Sequence, residues 1–97
     1  MKTKILIFID WYKPGFKAGG PIRSISNLVS QLNTEYDFYV VTRNTDYLET
    51  EPYSTIKTNE WNETDNAKVF YLSSDNQNKS TIKKLIQEVN PTLIYCN

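Results

Sequence analysis

The chain predicts an α/β domain built on a parallel sheet. Three observations carry this. Four apolar or β-branched runs have strand length: "KILIFID", "DFYVVTR", "AKVFYL" and "TLIYC". Two segments with apolar residues at helical spacing lie between them. The order is strand, helix, strand, long connection, strand, helix, strand, and strands separated by helices favour parallel pairing.

The first run, Lys4 to Asp10, is continuously apolar, as in a central strand buried on both faces. All three glycines follow it, in "YKPGFKAGGPIRSIS". A helix is expected from Pro21 to about Leu32, with Ile22, Ile25, Leu28, Val29 and Leu32 forming one stripe. Pro21 suits a first turn, where its missing N–H would have no partner anyway. Asp37 to Arg43 reads as the second strand. The polar stretch Asn44 to Asn66 shows no period, and "IKTNEW" within it could hold a short extended piece. Trp61 is expected to pin this stretch to the sheet. Ala67 to Leu72 is the third strand. The second helix, about Lys79 to Val89, carries Ile82, Leu85, Ile86 and Val89 at i, i+3, i+4 and i+7. Asn78 or Ser80 can cap it, and Asn90 with Pro91 ends it. Thr92 to Cys96 is the fourth strand and reads as buried, with Cys96 a small core residue.

Composition narrows the function. Eleven Lys plus Arg balance eleven Asp plus Glu, so no global charge draws the chain to nucleic acid. There is no histidine, which excludes a His-based triad and a His metal site. The single cysteine cannot form an internal disulfide and fits a reducing compartment. The apolar run Ile5 to Ile9 is too short for a signal peptide and is closed by Asp10. A soluble cytoplasmic chain is expected. Its last residues, "TLIYCN", read as a strand just completed, so the chain is expected to be part of a longer protein.

The glycine-bearing loop leaves one strand and enters a helix. Gly19 and Gly20 remove side chains where a ligand would approach, and they permit a tight turn. Phosphate is the natural ligand of a helix N-terminus, and Arg23 and Ser24 could add donors. The loop is not G-x-G-x-x-G. Thr42, Arg43 and Asn44 stand where a ribose-binding acid would end the second strand. These departures argue against a dinucleotide site, and no G-K-S/T follows to make a Walker loop. Structural alternatives stand beside each reading. Gly19-Gly20 could simply turn the chain, Arg23 could be a solvated surface residue, and Asp10 could cap the loop. Trp11, Tyr12 and Phe16 could stack on sugar rings or pack the loop onto the domain.

The segment "KILIFIDWYKPGFKAGGPIRSISNLVSQL" resembles the start of retaining glycosyltransferases of the GT-B type, in the large family 4 group. Those begin with a strand, a Pro-containing loop, a Gly-Gly pair and a helix of the form "xxLVxxL". Here these are Lys4 to Asp10, Pro14, Gly19-Gly20 and Ser26 to Leu32. The resemblance continues through "VVTRNTD", "NEW" and "NPTLIYCN", the last like the family's "xPDxIHxN". Tyr95 and Cys96 stand where many members carry a histidine, so that residue's role has no counterpart here.

The resemblance implies a Rossmann-like, three-layer parallel sheet of about four strands in the order 3-2-1-4. It implies a nucleotide-diphosphate sugar donor, a saccharide or lipid-linked acceptor, and retaining transfer with no metal or other cofactor. Polysaccharide biosynthesis is the expected setting. Two such domains face each other across a cleft. Residues 1–97 would be the N-terminal, acceptor-side part, and the C-terminal donor-binding domain would lie outside this chain. Gly19 and Gly20 would approach the donor diphosphate, with Arg23 near them. Asp10, Tyr12, Phe16 and Asn97 would line the acceptor side of the cleft. Peripheral membrane contact is expected of the longer protein. The catalytic residues are not identified, and no paired acid and base lies near the glycine loop, so the isolated chain is expected to be inactive. Its fourth strand would be an unprotected edge prone to self-association. The alternative is a stand-alone α/β binding or assembly module without catalysis.

Overall fold

The computed structural model describes residues 2–97. Its elements are β1 (Thr3–Phe8), α1 (Gly20–Leu32), β2 (Tyr36–Arg43), β3 (Trp61–Thr64), β4 (Ala67–Leu72), a 3-10 turn at Ser74–Asn76, α2 (Lys79–Val89) and β5 (Leu93–Cys96). They form an α/β fold with one five-stranded mixed sheet, ordered β3-β4-β2-β1-β5. A purely parallel four-stranded sheet is therefore corrected. Strands β4, β2, β1 and β5 are parallel neighbours in that order, while β3 pairs antiparallel with β4 at the edge.

The extra strand has a local cause. Asp65 and Asn66 both take positive φ, 45° and 71°. They form a two-residue connection between the paired Thr64 and Ala67. This is the turn chemistry that matches the twist of a hairpin, and Asp and Asn tolerate it best after glycine. Trp61 opens β3 and packs edge-on against Tyr39 and Phe70, at centroid distances of 5.4 and 5.2 Å. Its indole N–H donates to Glu88 Oε1 of α2 at 3.0 Å.

Alternation along the strands builds two cores. Ile7, Phe38, Val40, Val69 and Tyr71 meet Ile22, Ile25 and Val29 of α1 on one face. Leu6, Val41 and Leu72 meet Leu85 and Val89 of α2 on the other. The helices thus cover opposite faces of the sheet, in three layers. Each of these buried aliphatic side chains contributes about 1.5–3 kcal/mol on transfer from water. Leu28 departs from the expected stripe and is exposed at the flank of α1.

The helix ends follow their sequence signals. Asn78 Oδ1 accepts the Thr81 N–H at 2.9 Å, capping α2. Asn90 takes φ 51° at its C-terminus and donates its N–H to Ile86 O at 2.8 Å, before Pro91. Strand β5 is not buried as its composition suggests. Leu93, Ile94 and Tyr95 keep 56, 44 and 45% of their surface, because only β1 flanks them. Cys96 is exposed and free, not a core residue. None of the described helices is long and apolar enough to cross a membrane.

Candidate functional site

Backbone pairing between β1 and β2 runs past the strands. Ile9 N–H donates to Val41 O and Arg43 N–H to Asp10 O, both at 3.2 Å. The chain then turns into the glycine-bearing loop at the carboxyl end of the sheet. Turns at Tyr12–Gly15 and Phe16–Gly19 are closed by N–H bonds of 2.9 and 3.1 Å.

What holds the loop comes from far away in sequence. Asp46 is buried, and its carboxylate accepts the N–H groups of Phe16 (3.1 Å), Lys17 (3.2 Å) and Tyr47 (2.8 Å). Tyr53 donates its hydroxyl to Tyr12 O at 3.3 Å, and Tyr71 donates its own to Lys13 O. Trp11 meets Tyr47 edge-on at 4.9 Å. Lys17 pairs with Glu49 at 2.5 Å, and this hydrogen bond raises the Lys17 pKa. Gly15 is needed here, since a Cβ would collide with the Tyr53 hydroxyl and the Asp46 carboxylate. The long polar stretch after β2 is thus a strap that fixes the loop.

Burial also tunes the tyrosines around the loop. It pushes Tyr12 up to about 12, assisted by neighbouring Tyr71. Tyr53 is raised by burial and then by the Asp46 charge, and Tyr71 is raised chiefly by burial. All three stay protonated at neutral pH as hydrogen-bonding or packing groups.

At the end of the loop Gly19 takes φ 70°, a conformation that favours glycine, and Gly20 begins α1. Helix α1 therefore starts one residue before Pro21. Only Gly19 needs its glycine for backbone geometry. A Cβ at either glycine would meet nothing within 4 Å. No side chain caps this N-terminus, and its first turn holds no acid. Its first N–H groups thus have no side-chain acceptor, at the positive end of the helix. Arg23 is exposed nearby and forms no ion pair among the described residues.

The remaining expected residues divide. Asp10 and Asn97 come together around a cavity of about 320 Å³, shared with Trp11, Lys17, Pro21 and Tyr47. Asp10 also pairs with Arg43 at 3.5 Å, and its carboxylate accepts no loop N–H among the described residues, a role that Asp46 takes instead. Phe16 is 75% exposed on the loop surface. Tyr12 cannot line a cleft, because it has no exposed surface and belongs to the α1-side core. Gly19, Gly20 and Arg23 lie beside this cavity in the chain but do not line it. Asp46 and Tyr53 are the residues the sequence reading missed. Their partners lie roughly 30 to 40 positions away, and only the polar, turn-forming character of "RNTDY" hints at a structured segment.

No family model, curated protein or solved structure matches the chain.

Proposed function

We propose that this chain is the acceptor-side, Rossmann-like part of a retaining glycosyltransferase of the GT-B type. It would take a nucleotide-diphosphate sugar as donor and a saccharide or lipid-linked acceptor, in polysaccharide assembly. One observation carries the reading. The α1 N-terminus is uncapped, and its two glycines leave open space at the carboxyl edge of the sheet. That is where an open α/β sheet presents its ligand site. The donor diphosphate would accept hydrogen bonds from the Gly20 and Ile22 N–H groups and from the Arg23 guanidinium. The strap supports this by fixing the loop before ligand arrives, so little ordering entropy is lost on binding.

The expected affinity is modest. A helix N-terminus contributes up to about 2 kcal/mol to an anion, and one arginine contact about 1.5–3 kcal/mol. Their sum, about 4 kcal/mol, corresponds to a Kd on the order of millimolar. Tight donor binding would need a second domain across the cleft. The test is equilibrium binding of the chain to UDP- and GDP-sugars, with the matching nucleosides as controls. Weak binding that requires the diphosphate supports the reading. Equal binding of nucleoside, or none of either, would leave the chain as a binding or assembly module without catalysis.

A further inference from the structure

The carboxyl edge of the sheet carries a second, larger depression, on the face opposite α1. It is a groove of about 820 Å³ between α2 and the ends of β1, β2 and β4. Phe8, Val41 and Leu72 form its floor, and Ile82 and Ile86 of α2 form one wall. Its size lies within the roughly 300–1,000 Å³ range of small-molecule sites. Of its charged lining residues three are cations, Arg43, Lys79 and Lys83, against one acid, Asp10, among neutral polar groups such as Thr42, Gln77 and Asn78. Lys79 and Lys83 are exposed and find no carboxylate within 4.0 Å among the described residues.

The charges of α2 run against its own electrostatics. Its first turn has no acid and contains Lys79, while its last turn has no base and contains Glu88. Lys79 and Lys83, four residues apart, repel one another on one face. Cations at the N-terminus also oppose the helix dipole. Arg43 lies beside them, already paired. Its Nη1 donates to Gln77 at 2.9 Å and Nη2 faces Asp10, but its buried Nε has no partner. Asp10 is the one acid lining the groove. An anion between Lys79 and Lys83 would offset both their mutual repulsion and their opposition to the helix dipole.

We propose that this groove binds an amphipathic phosphate, one molecule per chain. The phosphate head sits among Arg43, Lys79 and Lys83, and the apolar body lies along Phe8, Val41, Leu72, Ile82 and Ile86. Its apolar floor and α2 wall lie on the other face of the sheet from the glycine loop, while Asp10 and Asn97 at the sheet edge line both depressions; the inference requires no sugar transfer and stands without that reading.

The probe is decyl phosphate below its micelle concentration, titrated into ¹⁵N-labelled chain. Amide shifts are expected around Phe8–Asp10, Arg43 and Gln77–Ile82, saturating at one equivalent. Decyl maltoside, with the same tail and no charge, should bind about tenfold more weakly, and so should inorganic phosphate, which has no tail. Lys79→Glu with Lys83→Glu changes two exposed side chains and should cost about tenfold while the circular dichroism stays unchanged. Gly20→Val should leave this binding intact. Equal affinity for decyl maltoside or for inorganic phosphate would overturn the proposal. So would unchanged affinity in the doubly reversed variant, or a groove already occupied by a second copy of the chain.

Discussion

Replacing Gly20 with alanine separates a ligand-facing glycine from a mere turn. Gly20 opens α1 without positive φ, and nothing lies within 4 Å of the Cβ position. Alanine there meets no strain and no clash. It also restricts the unfolded chain, so Gly20→Ala should stabilise the fold by about 0.4–1 kcal/mol. For a domain of this size that is a rise of roughly 2–8 °C in Tm. Gly19→Ala is the contrasting variant. At φ 70° a Cβ is strained, so it should cost about 1–2 kcal/mol and lower Tm. The chain therefore retains a glycine at position 20 that folding alone would exchange. If that position exists for close approach of a diphosphate, Gly20→Ala should weaken nucleotide-sugar binding about tenfold while raising Tm. Thermal melts read one effect and equilibrium titration the other. A stabilised Gly20→Ala that binds as tightly as the parent would refute the reasoning.

Other expectations follow from the same packing. Asp46→Ala leaves the Phe16, Lys17 and Tyr47 amides without their acceptor and should cost about 2–4 kcal/mol, read by urea unfolding. Hydrogen exchange at Phe16 and Lys17 should rise together in that variant, and unchanged protection would show that the strap does not hold the loop. Stability should be flat from neutral pH to about 10 and then fall. Tyr12 keeps its proton in the fold up to about 12 but loses it at its ordinary value of 10.0 when unfolded. Across that window the loss is about 1.4 kcal/mol per pH unit from this residue alone, with Tyr53 and Tyr71 acting in the same direction. A melt series showing no change between pH 10 and 12 contradicts this. The exposed β5 edge should drive self-association, and Ile94→Lys, on the outer strand, should shift sedimentation toward monomer. The purified chain should neither transfer sugar nor hydrolyse donor, and turnover of UDP- or GDP-sugar would exclude the acceptor-side assignment.

The sequence made the periodic elements legible because their signals are local. The i, i+3, i+4, i+7 pattern of Ile82 to Val89 and the Asn78 cap both reappear in α2. Strand β3 was hidden in a polar stretch, although Asp65-Asn66 is a readable hairpin turn once both residues are weighed as tolerant of positive φ. Tyr12 was misplaced because an aromatic in a glycine loop looks the same in sequence whether it faces a ligand or the core. Its burial depends on Val69 and Tyr71, far along the chain. Asp46 illustrates the same limit more sharply. A lone acid in a polar run carries no mark of the two loop amides it will accept. Burial of β5 could not be read from composition either, because exposure is set by which neighbours flank the strand.

The central claim is that the uncapped, glycine-lined start of α1 faces a diphosphate. Amide chemical-shift mapping with a nucleotide-diphosphate sugar tests it most directly. The account expects the largest changes at Gly19, Gly20, Ile22 and Arg23, with smaller ones at Asp10 and Asn97, and their loss in Gly20→Val. Changes confined to other surfaces, with these amides silent at saturating ligand, would contradict it.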